Sequence, residues 1–121
     1  MKVPCDAPRT IYKICPREIW DEARRIGSFR GSADDARDGY IHLSAPDQVA
    51  GTLARHFAGQ ADLVLIGVDA ARLGPALKWE LSRGGALFPH LYAPLQIETV
   101  VSERVLTLGA DGRHRLPEDL G

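Results

Sequence analysis

The stretch Leu63-Val64-Leu65-Ile66-Gly67-Val68 is a nearly continuous apolar run. A half-solvated strand alternates between apolar and polar residues. Unbroken apolarity over this length therefore predicts a central strand covered on both faces. No longer apolar stretch occurs in the chain, and this one falls far short of the ~20 residues a membrane helix needs. Reading upstream, Pro46 opens a predicted helix with Val49, Leu53 and Phe57 four apart and Gly59 as its stop. Residues 40–44 alternate, with Ile41 and Leu43 on one face and Tyr40, His42 and Ser44 on the other.

Residues 28–39 carry Arg30, Asp34, Asp35, Arg37 and Asp38 between glycines and read as a surface loop. A loop of that length is often functional. Residues 10–15 form a predicted first strand with Thr10, Tyr12 and Ile14 on one face and Ile11, Lys13 and Cys15 on the other. Pro16 then opens a helix whose stripe is Ile19, Trp20, Ala23 and Ile26, with Gly27 ending it. Downstream of the apolar run, residues 76–81 alternate: Leu77, Trp79 and Leu81 point inward, while Lys78 and Glu80 share the opposite face with Ala76. Residues 88–92 form a short extended piece with Phe88, His90 and Tyr92 on one side. Residues 98–108 are a long β-branched stretch, and the Asp111-Gly112 turn lets residues 113–116 return as a hairpin partner. No repeat, low-complexity tract or linker interrupts this order. The expectation is one α+β domain over residues 1–121 with two main helices, its ends at 1–8 and 117–121 flexible.

The 121 residues are 45% apolar and 26% charged, the balance of a globular chain able to bury a core without staples. Fifteen lysines and arginines oppose sixteen aspartates and glutamates. That near-neutrality argues against a nucleic-acid partner and suits one small anionic ligand. The first ten residues carry two prolines and no apolar run, so no secretory signal is visible. Cys5 and Cys15 then read as free thiols in a reducing cytoplasm. Nothing in the sequence sets an oligomeric state.

Three extended segments place hydrogen-bonding side chains on one face: Tyr40/His42/Ser44, Lys78/Glu80 and His90/Tyr92. A sheet with one solvated face produces the same alternation. Residue type argues for a site instead, since histidine exchanges a proton near neutral pH and tyrosine both stacks and donates. His42 is the sharpest candidate, because a register slip that buried it would expose Ile41 and Leu43. Ser44, next to the helix start at Pro46, either caps that helix or helps form an anion-binding corner there. His56 and His114 read as surface residues. No HxxxH, HxH or CxxC spacing supports a metal, so none is expected. No GxSxG elbow is present, and residues 27–32 match neither a P-loop nor a dinucleotide fingerprint.

The segments Ile11-Tyr12-Lys13-Ile14, Phe29-Arg30-Gly31-Ser32, Asp38-Gly39-Tyr40-Ile41-His42-Leu43-Ser44, Leu77-Lys78-Trp79-Glu80 and Phe88-Pro89-His90-Leu91-Tyr92 together resemble the domain-of-unknown-function family 952 over residues 10–108. That resemblance implies an ADP-ribosyltransferase-like fold: split, strongly curved antiparallel or mixed sheets with an NAD-binding cleft between the halves. It implies that His42 holds the ribose of NAD as substrate and that Tyr40, Tyr92 or Phe88 stack on the nicotinamide. It also implies that a late carboxylate, for which Glu80 is nearest, stabilises the cationic sugar as nicotinamide leaves. The last motif offers His90 where a glutamate is expected. The expected site is therefore His42, Glu80 and His90 for catalysis, with Tyr40, His42, Ser44 and Tyr92 for binding. A non-catalytic module for a small anionic ligand, or a structural or partner-binding domain, would use the same surface differently.

Overall fold

A computed structural model describes residues 8–117 and residue 120. Cys5, and residues 1–7, 118, 119 and 121 of the two ends expected to be flexible, lie outside the described residues. The order is β1 (Thr10–Pro16), α1 (Arg17–Ile26), β2 (Ser28–Phe29), α2 (Ala33–Asp38), β3 (Ile41–His42), α3 (Val49–His56), β4 (Leu63–Asp69), β5 (Leu77–Leu81), β6 (Leu87–Leu91), β7 (Leu95–Gln96) and β8 (Val100–Leu106).

The apolar run at 63–68 sits in β4, the middle strand of the sheet β1-β4-β8, and every one of its residues is buried. Its alternating side chains feed two clusters. Val64, Ile66 and Val68 pack with Ile11, Cys15, Trp20 and Ala23, so α1 covers that face. Leu63 and Leu65 pack with Tyr12, Ile14, Val49 and Leu53, so α3 covers the other. The chain is an α+β domain with three small sheets, β1-β4-β8, β3-β6-β5 and the two-stranded β2-β7, all antiparallel. The second sheet adds Ile41, Trp79 and Leu91 to the α1-side cluster. Backbone bonds in both directions between Tyr12 and Ser44, each 2.8 Å, stitch β1 to the strand end following β3.

Several expectations change. Pro16 closes β1 and caps α1 from outside rather than opening the helix, and Gly27 ends the helix in the left-handed conformation as expected. Only Trp20 and Ala23 of the predicted stripe are buried, while Ile19 is 38% exposed and Ile26 more so. The helix leans on the sheet through a narrow seam, which polar bonds from Trp20 and Arg24 to Glu103 reinforce. The segment 28–39 is not a loop: it holds β2 and the helix α2. Ser32 and Asp35 form a capping box, in which the Ser32 N–H donates to the Asp35 carboxylate at 2.8 Å.

A 3-10 turn at Pro46–Gln48 precedes α3, which ends at His56 with Phe57 as its cap, short of Gly59. Leu81, expected inward, is 73% exposed at the end of its strand. Tyr92 falls just beyond β6. The C-terminal return after Asp111-Gly112 is a single bridge between Leu108 and His114, not a strand pair. Among the described residues no helix is long and apolar enough to cross a membrane.

Candidate functional site

Lys13 lies mid-strand on the core-facing side of β1, and its amine is buried against Asp35 of α2 at 2.8 Å. An unpaired buried charge is costly, so the surroundings must satisfy both groups. They do. Asp35 Oδ2 accepts from Lys13 Nζ and the Ser32 N–H, each at 2.8 Å. Oδ1 accepts from the His42 backbone N–H at 3.0 Å and faces His42 Nδ1 at 2.6 Å. Lys13 also donates to the His42 carbonyl at 3.2 Å. Burial pushes the Asp35 carboxyl up, but the His42 bond, the Lys13 charge and bond, and the Ser32 N–H together hold it well below the usual carboxylate range.

The other His42 nitrogen, Nε2, faces Asp38 Oδ2 at 2.9 Å. A carboxylate only accepts, so a ring nitrogen that carries a proton donates to the carboxylate it faces. His42 is thus clamped between two carboxylates of one short helix, Nδ1 toward Asp35 and Nε2 toward Asp38.

The antiparallel register places His42 opposite His90, and His90 opposite Lys78, in a row across β3-β6-β5. Glu80 then lies diagonal to His90, within reach of a long side chain. His90 Nδ1 meets Glu80 Oε1 at 2.9 Å, and the Tyr92 hydroxyl donates to the same oxygen at 2.6 Å. These two bonds hold the Glu80 carboxyl below its ordinary range, and the bond to Glu80 pushes the Tyr92 hydroxyl up to about 12. The Tyr40 ring stacks on His90 with centroids 4.1 Å apart and lies 4.6 Å from His42 and 5.2 Å from Tyr92. The two imidazoles stand 5.8 Å apart, edge to face. Burial pulls the His90 imidazolium pKa below its usual value, against an opposing pull from Glu80.

A cleft of about 120 Å³ opens where the two three-stranded sheets meet. Its polar wall includes Lys13, Asp35, His42, Ser44, Thr52 and His90, and Phe57 and Phe88 line it as apolar surface. His42, Ser44 and His90 therefore reach the cleft. Glu80, Tyr40 and Tyr92 do not form its wall; they pack around the two histidines instead. Ser44 is not the cap of the following turn, a position that Ala45 takes. The Ser44 hydroxyl bonds that of Thr52 at 3.0 Å, and Gln48 Oε1 accepts the Ala45 N–H at 2.9 Å. His56 is exposed yet also borders the cleft, whereas His114 donates to the Gln60 carbonyl at 2.7 Å. Among the described residues no group of three or more histidines, cysteines, aspartates or glutamates is placed to hold a metal ion.

Sequence reasoning missed Lys13, Asp35, Asp38 and Thr52. The available signals were Ser32-x-x-Asp35, a capping-box spacing, and a lysine on the core face of a strand otherwise apolar there.

The family described as protein of unknown function (DUF952) matches residues 14–103. The X-ray crystal structure of protein CC0527 from Caulobacter crescentus is 55% identical, covering 88% of this chain and 93% of that one, with a TM-score of 0.85. The solution NMR structure of CC0527 is 55% identical over 88% of this chain and 91% of that one, with a TM-score of 0.79. No curated protein matches the chain.

Proposed function

The chain belongs to the DUF952 family of proteins of unknown function, and on that premise we propose that its cleft binds NAD or an ADP-ribose-type nucleotide between the two halves of an ADP-ribosyltransferase-like sheet pair. One observation carries this reading: His42 stands in the wall of the cleft between the two three-stranded sheets, held by Asp35 and Asp38. That is the place and residue type expected to hold a ribose. Asp38 lies at the surface end of the clamp, so a ligand that takes the Nε2 proton of His42 replaces Asp38 and leaves Asp35 in place. Arg37 borders the cleft and pairs with Asp34 and Asp38, so the same exchange frees a guanidinium for a phosphate.

Burial argues against the reading of a merely solvated sheet face, since His90 is only 3% exposed. A small-anion module without turnover is the second reading. The position of Glu80 behind His90 favours it, because the carboxylate expected to support a cationic sugar does not line the cleft. In either case the ligand is a single small molecule, and the buried thiol of Cys15, pushed up to about 12 by burial, takes no part.

Ligand-observed NMR with NAD, ADP-ribose and nicotinamide, on the wild type and His42→Ala, tests the proposal. Binding of NAD and ADP-ribose that weakens at least tenfold in a folded His42→Ala is the expected result. No binding to the wild type would end the nucleotide reading, and binding without nicotinamide release would favour the module.

A further inference from the structure

We infer that His90 and Glu80 form a general-base dyad in which His90 Nε2 takes the proton of a water or hydroxyl held in the cleft, with Glu80 as the positioning residue behind it. The inference rests on the nucleotide reading above and assigns the chemistry of that same site. Its starting point is an unpartnered atom. His90 is 97% shielded from solvent, as its 3% exposure shows, and its Nδ1 is engaged with Glu80. Its Nε2 has no partner among the described residues, yet no buried side-chain nitrogen or oxygen there is left unsatisfied. Nε2 is therefore the part of the ring that the cleft reaches, in keeping with the place of His90 in the cleft wall.

The neighbours decide what that atom offers. Glu80 is an ionised acceptor, so Nδ1 carries the proton and Nε2 carries a lone pair. The Tyr92 hydroxyl pins the same carboxylate oxygen, and the Tyr40 ring lies flat on the imidazole, so neither partner rotates freely. Facing His90 are Glu80 and Lys78 from β5, His42 from β3, Asp38 from α2, and Tyr40. Burial outweighs the pull of Glu80 and keeps the ring neutral at neutral pH. His42 and His90 thus differ in kind: both nitrogens of the first face carboxylates, while the second leaves an acceptor nitrogen to the cleft. A ribosyl ligand with hydroxyls, and water beside it, matches that pair.

With NAD bound, the step balances without an oxidant. Water oxygen forms a bond to C1 of the nicotinamide ribose as the C–N bond breaks, and the pair in that bond leaves with nicotinamide as the neutral base. The water proton goes to His90 Nε2, whose Nδ1–H stays on Glu80, and is then lost to solvent. The products are ADP-ribose, nicotinamide and a proton. A positioned base of this kind contributes about 10²- to 10⁴-fold.

Two measurements test it. Nitrogen-15 NMR of the ligand-free protein at neutral pH should show His90 protonated on Nδ1 and bare on Nε2; the opposite tautomer would overturn the dyad. Nicotinamide release from NAD, followed against pH, should be lost about 100-fold or more in His90→Gln with NAD binding retained. Wild-type release should fall as pH drops through a midpoint below the ordinary imidazole value of about 6.5. In Glu80→Gln that midpoint should move lower still, because the carboxylate is what holds it up; a merely structural Glu80 would leave it in place. NAD bound without release, or released equally by His90→Gln, overturns the base and leaves nucleotide binding standing. Failure of NAD and ADP-ribose to bind overturns the nucleotide reading and the water step with it.

Discussion

Lys13 and Asp35 are the residues on which the site's geometry turns, and they act as a pair. Both side chains are almost fully buried, and Asp35 collects donors from three places in the chain. Removing one partner strands the other charge, which costs about 3–5 kcal/mol where a buried pair is broken. Lys13→Met is expected to lose that much in urea unfolding, and Lys13→Met/Asp35→Asn less than the two single losses added. Strict additivity across the four proteins would sink the coupling. The same carboxyl sets an acid limit. Its folded-state pKa is depressed, so its stabilisation is present above the unfolded value of about 3.9 and is lost as pH falls below it. Asp35→Asn should flatten the stability profile in that acid window. This pair was hard to read from the sequence, because a lysine in a strand and an aspartate in a charged segment are each ordinary on a surface. Only their juxtaposition buries them.

At the scale of elements, α2 shows why periodicity fails for short helices. Its six residues, Ala33-Asp34-Asp35-Ala36-Arg37-Asp38, present no apolar stripe, so their polarity reads as loop. The helix is held by its cap and by the buried Asp35. Gly31 makes this possible: its φ is +113°, and a Cβ there would lie 2.6 Å from the Cβ of Asp35. Gly31→Ala combines a strained backbone with a clash, so a loss on the order of 1–3 kcal/mol is expected in thermal unfolding. The His42 ring resonances should shift with it. An alanine variant as stable as the wild type, with unmoved His42 resonances, would show that α2 is not anchored this way. The long elements behave differently. β4 was legible because a strand buried on both faces has no polar positions to confuse it, and α3 because Val49 and Leu53 recur on one face. The ends of β5 and β6 drifted by a residue because burial, not propensity, ends a strand.

Across the whole molecule, the two three-stranded sheets share one cluster in which Trp20 of α1 and Trp79 of β5 both sit. Neither sheet keeps its covered face without the other. Tryptophan fluorescence and far-UV circular dichroism should therefore trace a single urea midpoint, and a biphasic fluorescence curve would show that the sheets melt apart. The cleft belongs to this scale too, since it exists only where β1 meets the strand end after β3. The sequence by itself determined the α+β class, the central strand, the two long helices and the faces carrying Tyr40, His42, Glu80, His90 and Tyr92. These follow from side-chain alternation and apolar period, which are local properties of a chain. The tertiary structure decided which of those faces meet, that Glu80 stands behind His90, that Ser44 is engaged with Thr52, and that Lys13 and Asp35 hold His42. Those are contacts between residues far apart in the chain, and their energies depend on mutual burial, which no local pattern encodes.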